Sequence, residues 1–72
     1  KCMIVYNRKI NESDIQNLDK DEELIYYYDN NIAYTINQTA DNFVVRRKKI
    51  FNNQLMEEFF AKTIKQVIKK VG

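Results

Sequence analysis

The first apolar block is the unbroken run Cys2–Tyr6, rich in β-branched residues. A run with no polar alternation predicts a strand buried on both faces, inside a sheet. Asn11–Asp19 then changes to helix-start chemistry. Ser13 and Gln16 stand at capping-box spacing, Asp14 sits in the first turn where the helix dipole favours negative charge, and Ile15 and Leu18 share one side. The pattern predicts a short helix from Ser13 or Asp14 to about Lys20.

From Leu24 to Phe51 the periodicity becomes that of strands. Three runs stand out, Leu24–Asp29, Ile32–Gln38 and Phe43–Phe51, separated by Asn30-Asn31 and Thr39–Asn42. Asn tolerates the left-handed backbone of a two-residue type I′ turn, which predicts Tyr27 opposite Tyr34 and Ile25 opposite Ile36. Ile25, Tyr27, Ile32, Tyr34 and Ile36 then share the core face, with Leu24, Tyr26, Tyr28, Ala33 and Thr35 on the other. A four-residue second loop pairs Gln38 with Phe43 and Ile36 with Val45. It adds Phe43, Val45, Arg47 and Lys49 to the core face, and Val44, Arg46, Lys48 and Ile50 to the other.

Over Gln54–Val71 the apolar residues return to helical spacing. Met56, Phe60, Ile64, Val67, Ile68 and Val71 form one stripe, with Glu58, Lys62, Lys65 and Lys69 opposite. This predicts one amphipathic helix over about 54–71, capped by Asn52 or Asn53, with Lys69 and Lys70 in its last turn and Gly72 just beyond. Leu55 and Phe59 fall at the edge of the stripe. The expected fold is a single small α+β domain over 1–72, β-α-β-β-β-α. Its sheet is mostly antiparallel with a three-stranded meander over about 24–51, and the C-terminal helix packs on one face.

Composition sharpens this picture. A 72-residue chain has a small core with little stability in reserve, so association is a natural source of more. With one Gly and no Pro, positive-φ turn positions fall to Asn and Asp. A lone cysteine and no histidine remove disulfides, cysteine-based metal clusters and the usual general base. No apolar run approaches the ~20 residues of a membrane helix, so the expected setting is cytoplasmic, with no membrane partner and no cofactor. The start at Lys1, without an initiator Met, is what a segment trimmed from something longer would show. Asn, Ile, Lys, Tyr and Phe make up half of the residues. Their codons are A/T-rich, which points to an AT-rich source such as a phage or mobile element.

Charge divides the chain. Residues 1–42 are net −4 and residues 43–72 net +6, with Arg46-Arg47-Lys48-Lys49 the densest run. By the expected register this run forms a basic pole of the sheet, opposite Asp21, Glu22, Glu23 and Asp41, with Glu57 and Glu58 of the last helix brought back near it. Asp19–Glu23 has the spacing of the start of a calcium loop, but Leu24 stands where the turn glycine belongs and Asn30 where the closing glutamate belongs. The preferred functional reading is a non-enzymatic binding or regulatory module that associates with a protein, a second copy included, through Leu55, Phe59, Tyr26 and Tyr28. The alternative is a small nucleic-acid-binding protein using Arg46, Arg47, Lys48 and Lys49, with Tyr26 and Tyr28 stacking on bases. A distant third is a ribonuclease that works without histidine, through charge stabilisation alone.

Overall fold

The computed structural model describes residues 2–72. Its elements run β1 (Cys2–Tyr6), α1 (Glu12–Gln16), β2 (Glu22–Tyr27), β3 (Ile32–Gln38), β4 (Phe43–Lys49), β5 (Leu55–Ala61) and α2 (Ile64–Val71). The strands form one sheet in chain order, with β1 parallel to β2 and every other pair antiparallel. This is the expected mostly antiparallel α+β domain with a meander and a C-terminal helix.

The core lies on one side of the sheet. A single cross-strand row, Ile4, Leu24, Ile36, Val45 and Phe59, runs through its centre. Leu24, Ile36 and Val45 are fully buried. Ile10, Ile15 and Leu18 from the first crossover and Val67 and Val71 from α2 pack into the same cluster. Both helices therefore cover the same face, and α1 and α2 also touch each other.

Four expectations are corrected. The first concerns the extent of the last helix, because residues 55–61 form a strand and α2 begins only at Ile64. Leu55, Met56, Phe59 and Phe60 are spaced as on a helix, and pairing with β4 overrides that spacing. On β5, Glu57 and Glu58 lie opposite Arg47 and Arg46, and Phe59 lies opposite Val45. Asn53, expected as a cap, instead turns the β4–β5 hairpin with φ 56°, the one positive φ at a non-glycine position among the described residues. The cap is Thr63, whose side chain accepts from the Gln66 N–H (3.2 Å) while Gln66 Oε1 accepts from the Thr63 N–H (3.4 Å) and the Lys62 N–H (2.8 Å).

The second correction is the β2 register. The turn has three residues rather than two. The Asp29 carboxylate accepts from the N–H groups of Asn31 and Ile32, both at 2.8 Å, and the Tyr28 N–H donates to the Ile32 carbonyl. That acid-anchored turn needs no positive φ, and it slides β2 by one residue. Tyr26 pairs with Tyr34 and Leu24 with Ile36, so Leu24 and Tyr26 face the core, and Ile25 and Tyr27 face away. The β3–β4 register is the expected one, with Ile36 opposite Val45. β4 ends at Lys49, however, leaving Ile50 in the turn beyond.

Third, β1 is not interior. It is an edge strand whose alternate residues Met3 and Val5 are exposed. Fourth, α1 starts earlier and stops sooner than expected. Asn11 is its cap, with a capping box to Asp14, and Asn17 ends it. The Ser13 hydroxyl donates to Asn11 Oδ1 at 2.7 Å and so supports the cap rather than serving as one.

Candidate partner-binding face

Because both helices lie on one side, the other face of the sheet is uncovered. Pairing aligns its side chains in three rows. The first is Tyr27, Ala33, Lys48 and Leu55. The second is Val5, Ile25, Thr35, Arg46 and Glu58. The third is Met3, Glu23, Asn37, Val44 and Phe60. On the middle strands Ala33, Thr35 and Val44 are buried beneath larger neighbours, Arg46 and Lys48 among them, whereas the edge strands stay open. Phe60 is 67% exposed, Met3 64%, Val5 51% and Leu55 49%. Four apolar side chains so exposed on the two borders of one face exceed the scattered singles of an ordinary surface. The Thr35 hydroxyl is buried in this face without a hydrogen-bond partner.

The charges of this face cancel. Arg46 Nε donates to Glu58 Oε2 at 2.7 Å, and Lys48 and Glu23 complete two cations and two anions. A shallow cavity of about 260 Å³ opens where Tyr27, Ala33, Thr35 and Lys48 meet the β4–β5 turn. At the tip of that turn the Phe51 ring stands almost wholly in solvent.

The helix side carries a tyrosine cluster. Tyr26 stacks on Tyr34 at 6.1 Å, and Tyr28 meets both edge-on, at 6.2 and 6.0 Å. Tyr26 is buried and Tyr28 half-exposed. Burial pushes the Tyr26 phenol pKa up, and the neighbouring Tyr28 and Tyr34 push the same way. In the same row, Tyr6 lies under the Arg8 guanidinium, 4.7 Å from its ring centre, and Arg47 Nη1 donates to Glu57 at 3.3 Å.

These positions sort the sequence candidates. Leu55 belongs to the open face. Phe59 belongs to the helix side, packed against the core with the Lys70 ammonium 4.2 Å from its ring centre. Tyr26 is a core residue, and Tyr28 borders the core at the end of β2. The four thus divide between two faces instead of forming one surface. The basic run also alternates, with Arg46 and Lys48 on the open face and Arg47 and Lys49 on the helix side. Glu57 and Glu58 do come back to the basic pole, through a strand ladder rather than a crossing helix.

No known protein-family model, curated protein or solved structure matches this chain.

Among the described residues no acidic or cysteine side chains gather into a group that could hold a metal ion, and no helix is long and apolar enough to cross a membrane. Sequence reasoning missed Met3, Val5, Tyr27 and Phe60 as surface residues. For Met3 and Val5 the signal was hidden, because their alternation lies inside an all-apolar run. Tyr27 and Phe60 needed the true β2 register and the fifth strand.

Proposed function

We propose that this chain is a non-enzymatic binding module that associates through the uncovered face of its sheet, with a second copy of the chain as the occupant. The observation that carries this reading is the face itself, with exposed apolar side chains at both borders and balanced charges between them. A neutral face of mixed sign complements itself, whereas a polyanion needs an excess of cations. About a twofold axis running along the strands, β1 of one copy lies over β5 of the other, which brings Met3 of each against Phe60 of its mate. Five strands of about five residues span a footprint on the order of 400 Å² per copy. That is below the ~800 Å² each partner gives to a standard interface, so the association is reversible and weak, in the micromolar range. A chain without histidine that works by surface complementarity has no need of a catalytic group, and a cytoplasmic site of action accords with its lone cysteine.

The nucleic-acid alternative draws less support. Arg46 and Arg47 are each held by a carboxylate, and Tyr26 is buried where no base can stack on it. Sedimentation equilibrium from roughly 10 to 500 μM tests the proposal. The wild-type chain is expected to approach a dimer at the high end. Phe60→Asp and, independently, Val5→Asp should remain monomeric with unchanged circular dichroism. A wild-type chain that stays monomeric throughout overturns self-association. Salt-sensitive binding of single-stranded nucleic acid, lost on Arg46→Ala and Arg47→Ala, would favour the alternative.

A further inference from the structure

β5 closes the sheet, and its outer edge has no neighbouring strand among the described residues. On such an edge alternate residues turn N–H and C=O outward, a template for another strand. Along this edge runs a groove of about 470 Å³, walled by Phe59, Phe60 and Ala61 on one side and by Gln66, Lys69 and Lys70 of α2 on the other. The segment that builds the groove is basic, since residues 59–72 hold four lysines and no acid. The nearest carboxylates upstream, Glu57 and Glu58, are already engaged by Arg47 and Arg46.

We infer that the β5 edge accepts an extended acidic segment of a partner protein as a sixth strand. Main-chain bonds along Phe59–Ala61 supply affinity, and the pleat supplies specificity. Phe59 and Ala61 face the helix side and Phe60 the open side, so the added strand continues that alternation. Its helix-side positions meet Lys69 and Lys70 and take Asp or Glu. Its intervening positions lie beside the exposed Phe60 ring and take apolar side chains. The occupant is therefore a strand in which acidic and apolar residues alternate. The site uses the edge of the sheet and shares only Phe60 with the dimer face, so the two readings are tested apart by substitutions away from Phe60.

The test uses a short blocked peptide alternating glutamate with valine, fluorescently labelled and titrated into the intact chain by anisotropy. Two further peptides carry backbone N-methyl groups on one or the other set of alternate amides. The expected result is saturable binding that one N-methyl pattern abolishes and the other leaves intact, because only one set of amides faces β5. Lys69→Glu combined with Lys70→Glu should weaken binding by about tenfold or more. Binding should persist in Val5→Asp, whose substitution lies across the sheet, so a failed dimer leaves this inference standing. Absent binding overturns it. So does equal tolerance of both N-methyl patterns, which would mean a merely electrostatic contact, and so does equal competition by a single-stranded oligonucleotide.

Discussion

Leu24 and Ile25 are adjacent, similar in volume, and on opposite faces of β2. Leu24 is fully buried between Ile4 and Ile36 in the central core row, while Ile25 is half-buried on the open face. Leu24→Ala deletes buried methyl groups and leaves a cavity under two helices, at a cost of about 2–5 kcal/mol. Ile25→Ala loses strand propensity and partial cover, about 1 kcal/mol. For a chain of this size 1 kcal/mol moves Tm by roughly 4–8 °C, so the two variants, about 1–4 kcal/mol apart, should separate by roughly 4–30 °C. Total stability is on the order of 5 kcal/mol, so Leu24→Ala will stand near the edge of folding. The gentler pair Leu24→Val and Ile25→Val keeps the comparison readable if it falls below. Urea and thermal unfolding followed by circular dichroism, at low micromolar concentration so that self-association does not contribute, measure the difference. A two-residue turn at Asn30-Asn31 would exchange the two faces. Equal losses, or a larger loss at Ile25, would refute the three-residue turn held by Asp29.

Two further outcomes concern the helix caps. Asp14 is chelated by Arg8 through two hydrogen bonds of 2.9 Å, and this pairing, with the Asn11 backbone N–H, holds its carboxyl below the usual range. Its ionised form is favoured in the fold, so its contribution is present above the ordinary carboxylate value of about 4 and is lost as pH falls through the lower folded value. Asp14→Asn should cost about 1 kcal/mol at neutral pH through the lost Arg8 pair and the weakened capping box, and flatten the decline of Tm below pH 4, whereas an unchanged acid slope would show that another group is responsible. Thr63→Ala should cost about 1 kcal/mol and reduce helical ellipticity, with Asn52→Ala leaving the helix signal intact. The opposite order would mean that the helix begins near residue 54.

The parts of the fold that were legible in the sequence are those fixed by local chemistry. Thr39–Asn42 closes the β3–β4 hairpin within itself, the Thr39 hydroxyl accepting from the Asn42 N–H at 3.0 Å, and the register of Ile36 against Val45 follows. Lys69, Lys70 and Gly72 mark the end of α2 as expected. The parts that were not legible depend on choices made elsewhere in the chain. Asp29 has a carboxylate that anchors a longer turn, and this single interaction exchanges Leu24 and Tyr26 with Ile25 and Tyr27. Leu55–Ala61 carries helical spacing, which pairing with β4 overrides, Glu57 and Glu58 meeting Arg47 and Arg46 across the ladder. The candidate surface inherits both ambiguities. Tyr26 moves into the core once β2 slides, and Leu55 and Phe59, neighbours on a helix, part to opposite faces through the register shift between Arg47 and Lys48.

The sheet order that follows chain order also bears on how fast and in what sequence the domain folds. Every antiparallel pair closes across a turn of only a few residues, whereas the parallel β1–β2 pair spans the α1 crossover and the α1–α2 contact joins distant parts of the chain. Short loops close in about 10–100 ns and hairpins form in roughly 1–10 μs, so β3 and β4 are the natural nucleus, with β2 and β5 zipping on from either side. Parallel capture of β1 and the seating of α2 on α1 come late. Substitutions in β3 and β4 should then slow folding, while those in β1 and α2 should chiefly hasten unfolding.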